Sequence, residues 1–160
     1  PLDECQQQER PLRVVVQRVI EAFVRVGQEE VGRIGPGLLV LLGVGPRDSL
    51  EDVRALTDKV AHLRVFPDDE DRMNRSVLDV GGGVLVVSQF TLWGDCRKGR
   101  RPSYAGAAEP GLAQALYNGF IEQMRTYPVQ VASGRFQENM QVHLVNDGPV
   151  TLLLDSEKHF

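Results

Sequence analysis

Hydrophobic residues follow patterns typical of a β-sheet along most of the chain. The segment Arg13 to Val26 is rich in β-branched residues and predicts one or two strands. EVGRIG and GLLVLLGVG continue this sheet, the second as an almost wholly apolar central strand. Further along, SVLDVGGGVLVVSQFTL predicts two strands joined at Gly81 to Gly83.

Two segments have helical spacing instead. In SLEDVRALTDKVAHLRVF one apolar stripe consists of Val53, Leu56, Val60 and Leu63. Ser49 and Asp52 are placed as a capping pair for this helix. In GLAQALYNGFIEQMRTY the stripe consists of Leu112, Leu116, Phe120 and Met124. The order of elements predicts an α/β or layered α+β fold, in which two helices pack on a large, mostly antiparallel or mixed sheet or partial barrel.

The last three predicted strands are VQVA, NMQVHLV and VTLLLD. Between the last two lies Asn146-Asp147-Gly148-Pro149, where Asn-Asp-Gly alone would suit a hairpin turn. The proline removes a backbone donor and makes a cis peptide accessible. The pattern alone is compatible with a plain surface turn or with a functional element.

Composition narrows the possible classes of protein. The 160 residues, 42% of them hydrophobic, predict one domain over residues 12–160, preceded by a polar extension at residues 1–11. A net charge of −4 disfavours broad coating of nucleic acid and a DNA partner, and leaves only a local contact through the basic run at residues 97–102. Two cysteines without a disulfide pattern, and no long apolar run, predict a cytoplasmic protein without a membrane partner.

A search for side-chain chemistry finds little. The histidines His62, His143 and His159 have no ligand spacing, so we expect neither a metal nor a cofactor. Ser88 or Thr91 with His143 could form a nucleophile and base, although neither lies in a nucleophile-elbow motif. The Gly81 to Gly83 run lacks the lysine of a P-loop and does not open a helix.

Several segments together resemble the D-aminoacyl-tRNA deacylase (D-tyrosyl-tRNA deacylase) family over about residues 12 to 155. They are VVVQRV, GLLVLLGV, LRVF, VLVVSQFTL, RPSY, ALYNGF, GRFQENMQV and NDGPVT, in the family's order. SQFTL and NDGPVT are the most specific of these segments. SQFTL also favours the D-specific branch over a related branch that acts on L-alanyl esters and has a different strand-end motif.

The resemblance implies a homodimer that hydrolyses the ester at the aminoacylated 3′ end of tRNA. In this family Gly148 and Pro149, joined by a cis peptide, would enter the active site of the other subunit. Their carbonyl oxygens would accept hydrogen bonds from the substrate amino group, while the backbone leaves no space for an L side chain. Glycyl esters, which have no side chain, would be accepted.

The resemblance also implies a catalytic segment at Ser88, Gln89, Phe90 and Thr91. Backbone N–H groups around Ser88 to Phe90 would stabilise the oxyanion, and the ribose 2′-hydroxyl of the substrate would assist. The Thr91 side chain would then be dispensable. A side-chain hydrolase that uses Thr91 or Ser88 with His143, and a non-enzymatic RNA-end module, are the alternatives.

The remaining implied residues form the pocket and contact tRNA. Phe90, Phe136 and Met140 would line the cavity, with Arg18 orienting the Gly-Pro element and Asn146 supporting it. The phosphates of the acceptor stem would be contacted by Lys98, Arg100 and Arg101. Trp93 departs from the family, where small residues are frequent, and could change how the terminal adenosine is held.

Overall fold

The computed structural model describes residues 11–160, and its main element is a six-stranded mixed sheet. The strands are β1 (Arg13–Val26), β2 (Glu29–Ile34), β3 (Gly37–Gly43), β4 (Phe66–Pro67), β5 (Met73–Arg75), β6 (Gly83–Ser88), β7 (Gln130–Ser133) and β8 (Gln141–Asp155). The helices are α1 (Leu50–His62), α2 (Pro110–Met124) and a 3-10 helix at Phe90–Trp93. β4 and β5 form a separate antiparallel pair.

The long strand β1 organises the sheet. It pairs antiparallel with β8 along one edge, and with β3 and then β2 along the other. β3, β6 and β7 are parallel neighbours. β7 also lies close to β2: a Cβ added to Gly32 in β2 would be 2.5 Å from the carbonyl oxygen of Ser133 in β7. The sheet is therefore nearly barrel-shaped, with two helices packed on it, which confirms the predicted fold class.

Two clusters of buried residues stabilise this arrangement. The larger cluster joins both helices to the sheet and includes Val14, Val16, Val60, Phe120 and Met124. The smaller cluster fills the curve of the sheet and includes Val19, Ala22, Val24, Leu39 and Leu85. β1 contributes to both clusters: Val14 and Val16 belong to the larger cluster, and Val19, Ala22 and Val24, beyond the first register shift in its pairing with β8, belong to the smaller one.

Both helices lie where the sequence predicts them. The Asp52 N–H donates to Ser49 Oγ at 3.4 Å and the Ser49 N–H to Asp52 Oδ2 at 2.9 Å, so the predicted capping pair forms a capping box. α1 ends at His62, and Leu63 follows as its C-cap. Neither helix of residues 11–160 combines the length and apolarity needed to cross a bilayer.

One predicted strand is wrong. SVLDV forms hydrogen-bonded turns before β6, which begins only at Gly83. The Ser76 N–H donates to Asp79 Oδ2 at 2.8 Å, and the Asp79 N–H donates to Ser76 Oγ at 3.1 Å. These local side-chain bonds compete with strand pairing, which explains why an apolar run of this composition turns instead of extending.

The prediction of two separate last strands is also wrong, because the segments QVHLV and VTLLLD belong to one strand, β8, which has an irregularity between them. Asn146 is paired with Val19 and Thr151 with Gln17, so residues 147–150 lie opposite the single residue Arg18. We call residues 147–150 the Gly-Pro bulge. The predicted extension lies outside the described residues, except Pro11, which is buried.

Candidate active site

A cavity of about 690 Å³ opens at the carboxyl end of β6. It is lined by Val44, Val87, Ser88, Gln89, Phe90, Ala107, Ala108, Pro110, Ala113, Phe136, Gln137, Glu138, Asn139, Met140 and Val142. Five predicted site residues therefore meet here: Ser88, Gln89, Phe90, Phe136 and Met140. Thr91 follows directly in the chain and is exposed, but does not line the cavity.

The chain changes direction at the cavity. The Gln89 N–H donates to the Leu42 carbonyl oxygen at 2.8 Å, just after β6 ends, and so continues its pairing with β3. The 3-10 helix then starts at Phe90. The Gln89 side-chain amide donates to the Thr91 hydroxyl. Phe90 remains 56% exposed at the cavity rim, unlike a core phenylalanine. The first internal hydrogen bond of the 3-10 helix runs from the Leu92 N–H to the Gln89 carbonyl, so the Phe90 N–H precedes it at a residue that lines the cavity.

Two residues that sequence reasoning did not single out fix the 3-10 helix. The Arg13 guanidinium lies 4.2 Å from the centroid of the Trp93 ring, and its Nη1 donates to the Leu92 carbonyl at 2.8 Å. Gly43 allows the helix to approach β3, since an added Cβ would be 3.0 Å from Leu92 Cβ and 3.1 Å from the Gln89 carbonyl oxygen. No signal in a single sequence distinguishes this glycine or this arginine from others.

The opposite wall of the cavity is supported from α2. The Tyr117 ring stacks on Phe136, with centroids 5.9 Å apart, and its hydroxyl donates to the Val86 carbonyl at 3.1 Å. Burial raises the pKa of Tyr117 to about 12. Met140 packs on Gly134, where an added Cβ would be 2.6 Å from its Sδ. Tyr117 was missed although it lies in the ALYNGF segment, because it is one position off the predicted apolar stripe.

The Gly-Pro bulge is held by polar side chains. Its Gly148–Pro149 peptide bond is cis, as the resemblance implies, and both residues are exposed. Arg18 donates to the Asp147 carbonyl at 3.1 Å and to the Val65 carbonyl at 2.6 Å. Asn146 Oδ1 accepts from the Val150 N–H at 2.9 Å. The bulge does not line the cavity of its own chain.

The basic segment forms a loop with a closed base, here called the basic loop (residues 96–102). The Asp95 N–H donates to the Ser103 carbonyl at 2.7 Å, and the Ser103 N–H returns a bond of 2.9 Å. Arg97 hydrogen-bonds the Asp95 carboxylate and lowers the pKa of that group. The other cationic side chains of the basic loop are exposed, namely those of Lys98, Arg100 and Arg101. Within residues 11–160 none of these three forms an ion pair, so they are available to a polyanion.

The histidines lie elsewhere. His143 stacks on Phe23, with ring centroids 4.4 Å apart and planes 7° from parallel, and does not line the cavity. His62 and His159 face Asp58 and Asp155 respectively. Among residues 11–160 there is no group of three or more His, Cys, Asp or Glu side chains that could hold a metal. The structure therefore does not bring a histidine to Ser88 or Thr91.

Fold and cavity together define a class of small α/β proteins: a nearly closed mixed sheet carries two helices, and the end of β6 opens into a pocket with mostly apolar lining residues. The family model described as D-Tyr-tRNA(Tyr) deacylase matches residues 15–155. The chain belongs to this family.

Relatives of known name agree with this assignment. A protein of Syntrophobacter fumaroxidans named D-aminoacyl-tRNA deacylase is 66% identical over 149 residues, which cover 93% of this chain and all of that protein. One of Desulfitobacterium hafniense with the same name is 60% identical over the same coverage. A solved structure named c-Myc DNA Unwinding Element Binding Protein has a TM-score of 0.84 at 42% identity, covering 89% of this chain and 97% of that one.

A second solved structure shows that the fold persists in a distant relative. It is described as a structural analysis of a probable eukaryotic D-amino acid tRNA deacylase and has a TM-score of 0.78 at 22% identity. It covers 91% of this chain and 99% of that one.

Proposed function

We propose that this protein hydrolyses the ester bond of D-aminoacyl-tRNA in the cytoplasm and releases the free D-amino acid and tRNA. The observation that carries the proposal is the meeting of the two predicted motif regions, Ser88 to Phe90 and Phe136 to Met140, around one cavity in a chain of this family. A pocket of about 690 Å³ is of the size that holds a small ligand group such as an aminoacylated nucleoside.

The proposed mechanism uses main-chain donors. The Gln89 N–H is already bonded to Leu42, so the oxyanion donor at the cavity is the Phe90 N–H at the start of the 3-10 helix. Water adds to the ester carbonyl carbon, the negative charge of the tetrahedral intermediate faces this donor, and the ribose 3′-oxygen leaves with a proton. The neighbouring 2′-hydroxyl of the substrate assists this proton transfer, so no side-chain base is needed.

Chiral selection is assigned to the Gly-Pro bulge of a second subunit in a homodimer. Gly148 has φ of 127°, and an added Cβ would be 3.0 Å from both Arg18 Nη2 and Val150 Cγ2, so this position requires glycine. Gly148 and Pro149 are exposed and do not line the cavity of their own chain, which favours a role in another chain. Carbonyl oxygens of the bulge would accept from the substrate amino group, and its backbone would collide with an L side chain.

The basic loop is assigned to the phosphates of the tRNA acceptor stem. Lys98, Arg100 and Arg101 supply local positive charge on a chain of net charge −4. Binding should therefore weaken as salt rises, with a slope that falls by about one for each phosphate contact removed by mutation.

The direct test follows ester loss from D-tyrosyl-tRNA, L-tyrosyl-tRNA and glycyl-tRNA under single-turnover conditions. We expect the D and glycyl esters to be cleaved and the L ester to be cleaved at least about 100-fold more slowly, as a collision of several kcal/mol implies. Equal cleavage of D and L esters would contradict the chiral filter. Absence of turnover by the folded protein would favour a non-enzymatic RNA-end module.

A second test separates the main-chain mechanism from a side-chain hydrolase. Thr91→Ala and His143→Ala should each retain cleavage of D-tyrosyl-tRNA within about threefold, since neither side chain lines the cavity. A loss of about 100-fold or more in either variant would support side-chain catalysis.

Duplex DNA is added as a competitor of the tRNA substrate in the same assay, because one structural relative is named for DNA binding.

The dimer is tested by sedimentation together with activity. A monomeric variant should lose turnover and chiral selectivity together, because the filter comes from the second chain. A monomer that keeps full activity on the D ester and rejects the L ester would show that the bulge does not act between subunits.

A further inference from the structure

Tyr104 lies where the basic loop returns to the cavity. It directly follows Ser103, whose backbone pairs with Asp95 and closes the base of the loop. The Tyr104 ring contacts Phe90 edge to face, with centroids 5.0 Å apart and planes at 64°. One residue therefore connects the cationic loop with an aromatic wall of the cavity.

The contact between Tyr104 and Phe90 is a surface contact and not part of the core. Tyr104 is 40% exposed and Phe90 is 56% exposed. Phe90 has no other ring partner among residues 11–160. An exposed aromatic pair contributes little to the stability of the fold, but it restricts the orientation of both rings.

Tyr104 is in turn fixed relative to the cavity by backbone bonds. The Ala107 N–H donates to the Tyr104 carbonyl at 3.1 Å, and the next residue, Ala108, donates to the Val44 carbonyl at 3.0 Å. Both alanines and Val44 line the cavity. On the other side of the ring, a Cβ on Gly94 would be 3.1 Å from Tyr104 Cε1, so the ring lies directly against the end of the 3-10 helix.

We propose that Tyr104 is a positioning residue that fixes the basic loop relative to Phe90, so that RNA held by its phosphates at the loop places its 3′ end in the cavity. This inference rests on the proposed function. Phosphate contacts alone give affinity in many orientations. If the basic loop is fixed relative to the cavity, RNA bound at the loop has its 3′ end positioned in the cavity. A misplacement of the reacting groups by about 1 Å is enough to slow a reaction about 100-fold.

The kinetic test compares two substrates that share the ester but differ in the stem. D-Tyrosyl-tRNA contains the acceptor stem, whereas D-tyrosyl adenosine has only the terminal nucleoside. We expect Tyr104→Ala to lower kcat on the tRNA about tenfold with KM changed less than about threefold, because the loop still binds phosphates but no longer aligns them. On the adenosine ester the same variant should stay within about twofold of the wild type.

Tyr104→Phe should restore the wild-type kinetics, since it keeps the ring that contacts Phe90. Equal losses of Tyr104→Ala on both substrates would overturn the inference and leave Tyr104 as a wall of the cavity only. An unchanged kcat on the tRNA would overturn it as well. Thermal unfolding of each variant shows whether the fold is intact.

A measurement without turnover uses Trp93, the sole tryptophan of the chain, at the end of the 3-10 helix. Binding of an uncharged acceptor-stem RNA hairpin is followed by anisotropy of a labelled RNA, and Trp93 emission is recorded on the same samples. We expect saturating RNA to change Trp93 emission in the wild type and in Tyr104→Phe, and to leave it unchanged in Tyr104→Ala at the same bound fraction.

The two arms separate failure of this inference from failure of the proposed function. A wild type that binds the hairpin and shows the Tyr104-dependent emission change, but does not cleave D-tyrosyl-tRNA, would refute the esterase and support the link. A wild type that cleaves the ester while Tyr104→Ala keeps the full emission change would refute the link alone.

Discussion

The cavity and the Gly-Pro bulge are held in place by different forces. The cavity walls rest on packed apolar and aromatic side chains, such as Phe136 on Tyr117 and Met140 on Gly134. The bulge is held by hydrogen bonds between side chains and its backbone: Arg18 donates to the Asp147 carbonyl, and Asn146 Oδ1 accepts from the Val150 N–H. The stabilisation of the cavity walls is therefore distributed over many small packing contacts, whereas that of the bulge depends on a few hydrogen bonds.

This difference predicts how each region responds to mutation. A single truncation should disturb the bulge more than the cavity, because no neighbouring contact replaces a lost charged donor. The cavity should instead be sensitive to added volume, since a Cβ added at Gly43 would be 3.1 Å from the Gln89 carbonyl oxygen and one added at Gly134 would be 2.6 Å from Met140 Sδ. The four substitutions below test this contrast, from the largest expected effect to the smallest.

Arg18→Ala should have the largest effect. Its side chain is only 12% exposed and donates to the carbonyls of Asp147 and Val65. Removal leaves both acceptors without a partner and should lower the free energy of unfolding by about 2–4 kcal/mol. Urea denaturation measures this loss, and cleavage of D-tyrosyl-tRNA should fall at least about 100-fold if the bulge selects the substrate.

Arg25→Ala is the matched control for Arg18 on the same strand. Arg25 is exposed and lies 5.3 Å from the Phe23 ring centroid. Loss of this surface contact should change the unfolding free energy by less than about 0.5 kcal/mol. Similar losses in the two variants would show that the bulge does not depend on the buried bonds of Arg18.

Gly43→Ala tests the cavity with added volume. The new Cβ would be 3.1 Å from the Gln89 carbonyl oxygen and 3.3 Å from Trp93 Cδ1, so the 3-10 helix must shift. We expect a loss of about 1–2 kcal/mol in urea denaturation and reduced turnover, because Phe90 would be displaced from the cavity rim. Gly35→Ala is the control, because nothing lies within 4 Å of its added Cβ; a larger loss there than at Gly43 would contradict the packing account.

Sequence reasoning predicted the elements that depend on local signals. The helical stripes and the Ser49–Asp52 box are encoded within one turn of chain, and both are present. The predicted strand at SVLDV and the predicted separation of the last two strands are wrong, because each depends on other contacts: side-chain bonds within residues 76–79, and the pairing of β8 with β1 on both sides of Arg18. The motif residues of the cavity were predicted from the family resemblance. The roles of Arg13, Gly43 and Tyr117 could not be predicted from the sequence, because the residues they contact are distant along the chain.

Asn146→Ala should have a moderate effect on the bulge. Its Oδ1 accepts from the N–H of buried Val150, and its Nδ2 donates to Thr151 Oγ1 at 3.1 Å. Losing the acceptor should cost about 1 kcal/mol in urea denaturation and displace the bulge. Thr151→Val removes only the two exposed bonds that Thr151 Oγ1 accepts from Asn146 Nδ2 and Gln17 Nε2, and it keeps the bond to Val150, so it should cost less than about 0.5 kcal/mol. Equal costs would mean that the Val150 bond does not hold the bulge.

Tyr117→Phe should have the smallest effect at neutral pH, because the ring that supports Phe136 remains. Loss of the hydroxyl bond to Val86 should cost about 0.5 kcal/mol, the low end for a net hydrogen bond. The pH dependence gives a sharper test of burial. The folded pKa of about 12 lies above the ordinary value of 10.0, so the folded state holds the proton more tightly than the unfolded state.

The stability contributed by the neutral Tyr117 hydroxyl is therefore complete below pH 10 and is lost as the pH rises from 10 towards 12. Urea denaturation between pH 8 and pH 11 should show the wild type losing stability relative to Tyr117→Phe, so that the difference between them narrows. A constant difference across this range would mean that the hydroxyl reaches solvent. The α2 side of the cavity would then not be closely packed, which would contradict the view that packing holds the cavity walls while hydrogen bonds hold the bulge.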